Sequence, residues 1–194
     1  MEELMALRES LRTRRPVAWE QLPDFALYMD QVLSYMDRQV IPFDGDDSLT
    51  AAMVNNYTKS GLLPRAEGKK YNRTHLAYLT AICVLKRVMS ARDMEMVFSA
   101  QLEQRQDIGA AYDQFRDSLD KALNLMSEMM EGYNQQEDIA DAAIHFALLA
   151  YAAEAASGRY VALLRRRRQQ AEEPKKPQKT GRKDRRKQEK EETH

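Results

Sequence analysis

The sequence predicts an all-α protein with one short β wing, and three observations predict it. Glycine and proline are scarce before residue 173. Apolar residues recur at spacings of three and four almost everywhere, the period of helices that bury one face. The one stretch with no room for a helix is Leu63 to Tyr71, LPRAEGKKY, which suits two short strands around an Ala66–Gly68 turn.

Taken in order, residues 3–14 predict a first helix, stopped ahead of Pro16. In WEQLPDFALYMDQVLSYMDRQVI, Met29, Val32, Leu33, Met36 and Val40 form one apolar stripe, ended by Pro42 and the loop FDGDD. Trp19 and Phe25 are expected to staple the N-terminal arm to the core. Ser48 or Thr50 caps the next helix through its hydroxyl, and Gly61 ends it where positive φ costs little. Asn72 or Thr74 starts a helix carrying Leu76, Leu79, Cys83, Val84, Leu85 and Val88, and Ser90 caps the one after. Two longer helices follow, from Asp107 to about Met130 and from about Asp138 to Arg168, separated by GYNQQE. The last is apolar on most sides and is expected to be buried in a bundle or at a subunit interface. Beyond Glu173 no hydrophobic residue repays the cost of ordering, so a disordered basic tail is expected.

Hydrophobic content of 43% with 31% charged residues fits a soluble chain. No apolar run approaches the ~20 residues needed to span a bilayer, so no membrane partner is expected. The N-terminus lacks the apolar core of a secretory signal, and cytoplasmic residence is the default. Cys83 is the single cysteine and lies in the apolar run LTAICVL, which makes it a structural thiol and excludes an intrachain disulfide or Cys-rich zinc site.

The formal net charge of zero conceals a partition. Residues 1–47 carry −5, 48–90 carry +6, 91–164 carry −8 and 165–194 carry +7, which sum to zero. A basic segment between acidic ones is the footprint of a local anionic partner. It contains LTAAMVNNYTKSGLLP. With Met53, Val54 and Tyr57 turned to a core, Ala52, Asn55 and Lys59 point away and Asn56 flanks them. An asparagine amide can pair with the N6/N7 edge of adenine in the major groove. Lys59 suits a phosphate, and Arg65, Lys69, Lys70 and Arg73 follow within reach of the backbone, as a wing would.

AMVNNYTKSGLLP followed by GKKYNRTHLAYL resembles the MerR-type winged helix-turn-helix, whose pattern is roughly TIRYYEKEGLLPP, a short wing, then YRRYSEEDLRRL. Val54 and Tyr57 match its packing positions, Asn55 and Asn56 fall on its DNA-facing Arg and Tyr, and Lys69, Lys70 and Tyr71 fall on the wing exit. DQVLSYMDRQV takes the place of the first helix. LYMDQVL, LTAAMVNNYTKSGLLP and KKYNRTHLAYLTAICVLK resemble more closely a bacterial family defined only as a domain of unknown function and regarded as MerR-like. The resemblance spans roughly Leu22 to Phe98. This sequence departs from the MerR pattern in the longer loop IPFDGDDSL, in Asn55 at the arginine position, and in lacking both a long coiled-coil seam and Cys-based metal sites.

Other chemistry is not expected. His75 and His145 have no ligand-spaced partners, and acids such as Glu137, Asp138 and Asp141 are accounted for by a helix N-terminus. No phosphate-cradling glycine loop or nucleophile elbow is present. The methionines of MSEMMEG, with Leu123, read as core packing rather than a ligand pocket. In the tail, the RRRR run at 165–168 is the part most suited to touch phosphate.

The expectation is therefore an N-terminal arm (1–21), a winged helix-turn-helix (22–98), a C-terminal helical bundle for dimerisation or an effector (99–170) and a charged tail (171–194). Its expected function is sequence-specific binding of double-stranded DNA as a homodimer, hence transcriptional regulation. No enzyme activity, cofactor or metal is expected. The rival reading is an adaptor that binds another protein through the same winged fold.

Overall fold

A computed structural model describes residues 1–39, 48–133 and 138–172, with Glu172 described in its backbone only. Within them the chain forms α1 (Glu2–Thr13), a single 3-10 turn (Trp19–Gln21), α2 (Met29–Met36), α3 (Ala51–Lys59), α4 (Arg73–Leu85), α5 (Ala91–Arg105), α6 (Ile108–Met130) and α7 (Ile139–Glu172). The protein is predominantly helical. Val40, the FDGDD loop, most of the α6–α7 connection and the tail expected to be disordered lie outside the described residues.

Helix starts follow local chemistry. The Thr50 hydroxyl accepts from the Met53 amide at 3.2 Å, Asn72 Oδ1 from His75 at 3.4 Å and Ser90 Oγ from Asp93 at 3.2 Å. Asp107 Oδ1 accepts from the Gly109 amide at 3.0 Å. Each cap satisfies an amide that the first turn leaves unpaired, typically worth about 1 kcal/mol. Gly61 ends α3 at φ +82, and Gln106 separates α5 from α6 at φ +57.

The main core joins Leu22, Leu27, Val32, Met36, Val54, Leu76 and Leu79, from the segment before α2 through α4. Tyr112 of α6 belongs to the same cluster and Phe115 packs against it, so α6 seals the underside of α4. A second cluster, Leu62, Ile82 and Met94, locks α5 onto the end of α3 and the far side of α4. Each fully buried leucine here contributes roughly 1.5–3 kcal/mol of burial.

Hydrogen bonds and an ion pair tie the N-terminal arm to α6. The Arg15 guanidinium meets Asp120 and Asn124, Arg116 Nε donates to the Pro16 carbonyl at 2.9 Å, and the Tyr112 hydroxyl donates to the Val17 carbonyl at 3.0 Å. The Trp19 amide donates to Asp113 Oδ1 at 3.2 Å. Of the two aromatics expected to staple the arm, only Trp19 does so. Phe25 is 64% exposed, because the chain turns outward between the 3-10 turn and the Leu27 bridge.

Two expectations meet a different arrangement. LPRAEGKKY holds no strand; its pairing is reduced to two isolated bridges, Glu67 with Lys70 and Leu27 with Tyr71. The turn falls at Gly68–Lys69, one to two residues later than expected. α7, expected to be buried in a bundle or at a subunit interface, lies largely on the surface of its own chain, so the bundle does not cover it, and His145 is only half-buried. It is also long and apolar enough, by length and composition, to cross a membrane. Isolated charges such as Glu154 break the apolar run without removing the helix's apolar character.

Candidate nucleic-acid interface

Helix α3 is held from below and bare above. Val54 is fully buried, with Met53 and Tyr57 packed against the core, while Ala52, Asn55, Asn56 and Lys59 are exposed. Their spacing of 0, 3, 4 and 7 residues places them on one face. The helix ends on a tight exit: the Ser60 hydroxyl donates to the Tyr57 carbonyl at 3.0 Å, and the Leu63 amide bonds to the same carbonyl at 3.1 Å. Leu62 and Leu63 are then fully buried. The SGLLP segment thus pins the end of the ridge to both core clusters.

The turn that follows is tight. Glu67 and Lys70 exchange both backbone hydrogen bonds, at 3.2 and 3.0 Å, around Gly68 (φ +56) and Lys69 (φ +64). Positive φ at both central residues is the signature of a type I′ hairpin turn. Lysine is unusual there, since its Cβ crowds the carbonyl, and the residue presents its side chain at the tip. Leu27 and Tyr71 exchange two bonds of 2.8 Å, fastening the base of the turn to the chain before α2. Tyr71 is buried and meets His75 edge-on at 5.4 Å. His75 Nε2 lies 3.3 Å from the Arg65 carbonyl, and its Nδ1 accepts the Asn72 amide at 3.1 Å. His75 is therefore a buried brace beneath the turn.

The cations divide into two groups. Lys59, Arg65, Lys69 and Lys70 are exposed, and among the described residues no carboxylate forms an ion pair with Lys59, Arg65 or Lys69. Lys70 Nζ stands 5.3 Å from the Tyr28 ring, which orients it without neutralising it. Arg73 has a structural partner set instead. Its Nε donates to the Leu22 carbonyl at 3.1 Å and its guanidinium lies over the Trp19 ring at 5.7 Å. Tyr28 and the Arg73–Trp19 contact were missed in the sequence, because both join residues more than forty positions apart.

No group of His, Cys, Asp or Glu among the described residues is placed to hold a metal ion. Cys83 is half-buried against the main core. The MSEMMEG methionines are only half-buried. Met126 and Met130 line an open apolar groove of about 560 Å³ with Leu4, Leu123 and Phe146, between α1, α6 and α7.

The described chain is thus an all-helical protein whose core domain carries a polar ridge and a cationic turn. Residues 17–115, from the arm through the first turns of α6, match the family described as Domain of unknown function (DUF1836), and the chain belongs to that family. The match leaves α1 and α7 outside it. No curated protein and no solved structure matches the chain.

Proposed function

We propose that this is a sequence-specific DNA-binding protein that acts as a bacterial transcriptional regulator. In this reading α2 and α3 form a MerR-like helix-turn-helix, and the Gly68–Lys69 turn is its wing. The observation that carries it is the ridge of Ala52, Asn55, Asn56 and Lys59, exposed on a helix whose opposite side is buried and beside which Arg65 and Lys69 form no ion pair among the described residues. A small residue admits the helix into the major groove, and the two amides offer paired donors and acceptors to base edges. Lys59, Arg65, Lys69 and Lys70 would neutralise phosphates and fix the register. Arg73 would contribute by holding the arm rather than by touching DNA.

Four phosphate contacts imply a slope of log affinity on log salt of about −4, at roughly −0.9 per phosphate. The test is capture of sheared genomic DNA by the full chain and by the chain ending at Glu172, followed by sequencing. Enrichment of a shared motif that Asn55→Ala abolishes supports the reading. Binding that is absent at low salt, or that comes only from residues 173–194, overturns it and favours a protein-binding adaptor.

A further inference from the structure

We infer that Asp93 and Glu95 of α5 mask half of the arginine run 165–168, so that these two carboxylates and a duplex phosphate backbone compete for the same guanidiniums. Arg165 Nη2 donates to Asp93 Oδ1 at 2.7 Å, and Arg168 Nη1 lies 3.6 Å from Glu95 Oε2. The two arginines stand three residues apart on one face of α7, and Val161, a turn before Arg165, is buried on that face. Arg166 and Arg167, between them, are exposed. The run expected to touch phosphate is thus half answered from within the chain.

Both carboxylates are set in place by their own helix. The Ser90 hydroxyl, which also caps α5, donates to Asp93 Oδ2 at 2.8 Å, and the Ser99 hydroxyl donates to Glu95 Oε1 at 3.1 Å. Each carboxylate therefore gives one oxygen to a serine of α5 and offers the other to an arginine of α7. The Ser90 hydrogen bond first, and Arg165 after it, hold the Asp93 carboxyl below its ordinary value of 3.8 against the opposing effect of burial. A carboxylate oxygen held in this way presents an arginine with the charge that a phosphodiester oxygen would.

The mask can be lifted. Arg165 and Arg168 remain 50% and 51% exposed while paired. Ion pairs this open to water hold weakly, and salt screens them. They border a cleft of about 330 Å³ whose lining includes Arg92, Asp93, Glu95, Arg165 and Arg168, which leaves both guanidiniums open to an approaching phosphate. Duplex DNA is the polyanion argued for because Met94, between the two acids, packs with Leu62 at the exit of the ridge helix, on the domain that also carries the cationic turn. To that extent the inference rests on the DNA-binding reading, although it requires no base recognition.

The test is a double-mutant cycle on the full chain with random-sequence duplex, reading the slope of log affinity on log salt. Asp93→Asn with Glu95→Gln leaves an acceptor for each serine and should steepen the slope by about two units, at roughly −0.9 per phosphate. Arg165→Gln with Arg168→Gln should then change the parent by less than about half a unit and the unmasked variant by about two. Residues after Glu172 are the same in all four proteins, and circular dichroism checks that each stays helical. Equal effects of the arginine changes in both backgrounds overturn the mask. So does an unmasked variant that binds duplex no more steeply than the parent. A gain confined to vesicles of anionic phospholipid assigns the run to lipid and also overturns it. A failed cycle in a parent that still enriches a DNA motif overturns the mask alone, whereas absence of duplex binding by all four proteins overturns the DNA-binding reading as well.

Discussion

Gly109 makes room for Trp19: a methyl group on its Cα would lie 2.9 Å from the indole Nε1 and 3.0 Å from Cδ1. The ring cannot swing aside, because Arg73 lies over it and its own amide is bonded to Asp113. Glycine at the second position of α6 is thus a packing requirement, and its φ is not in the left-handed region. Gly109→Ala should destabilise the chain by about 1–3 kcal/mol through overpacking. Chemical denaturation read by tryptophan fluorescence and by circular dichroism measures it; an unchanged midpoint would mean the arm is not seated on α6.

Specificity and affinity should separate along the ridge. Asn55→Ala should cost about 1–3 kcal/mol on a preferred DNA site and little on random sequence. Lys59→Ala should weaken both alike and flatten the salt slope by about one unit. Both residues are exposed, so thermal stability should move little. Unchanged discrimination in a normally folded Asn55→Ala variant would remove its base-reading role.

The turn at Gly68–Lys69 should respond to backbone chemistry rather than to contacts, since a Cβ at Gly68 meets nothing within 4 Å. Gly68→Ala is expected to cost about 1 kcal/mol because φ is +56. Lys69→Asn should be neutral to stabilising, as asparagine tolerates that region. Denaturant midpoints decide this, and a Gly68→Ala variant as stable as the parent would contradict the turn geometry.

Alkaline stability should depend on Tyr112. Burial pushes its hydroxyl up to about 12 from an ordinary value of 10.0. A neutral phenol favoured by folding stabilises fully below pH 10, and that contribution is lost as pH rises toward and through 12. Tyr35, Tyr71 and Tyr78 are raised for the same reason and add to the loss. Tyr112→Phe should cost about 1 kcal/mol near pH 7, where the Val17 carbonyl loses its donor, and should make the decline above pH 10 shallower. Urea titrations at pH 7 and 11 give both numbers. An equally steep decline in the variant would assign the loss to other groups.

Much of this protein is set by residues close together in the sequence. Thr50, Asn72, Ser90 and Asp107 fix helix starts because each side chain bonds to an amide two or three residues ahead. Periodicity alone put Val54 inward and Ala52, Asn55, Asn56 and Lys59 outward, since the buried side of a short helix dictates its free side. Tertiary structure decided the rest. Which aromatic anchors the arm depended on Gly109 and Arg73 being brought to Trp19, and Phe25 had no such pocket. Arg73 donates to the Leu22 carbonyl, fifty-one residues away, a partner that no local pattern announces. The apolar composition of α7 announced that it would be covered, but composition does not say by what. Its own chain buries one edge of it near Val161 and leaves Ile144, Leu148 and Tyr151 bare, because burial is a property of neighbours that only the assembled fold supplies.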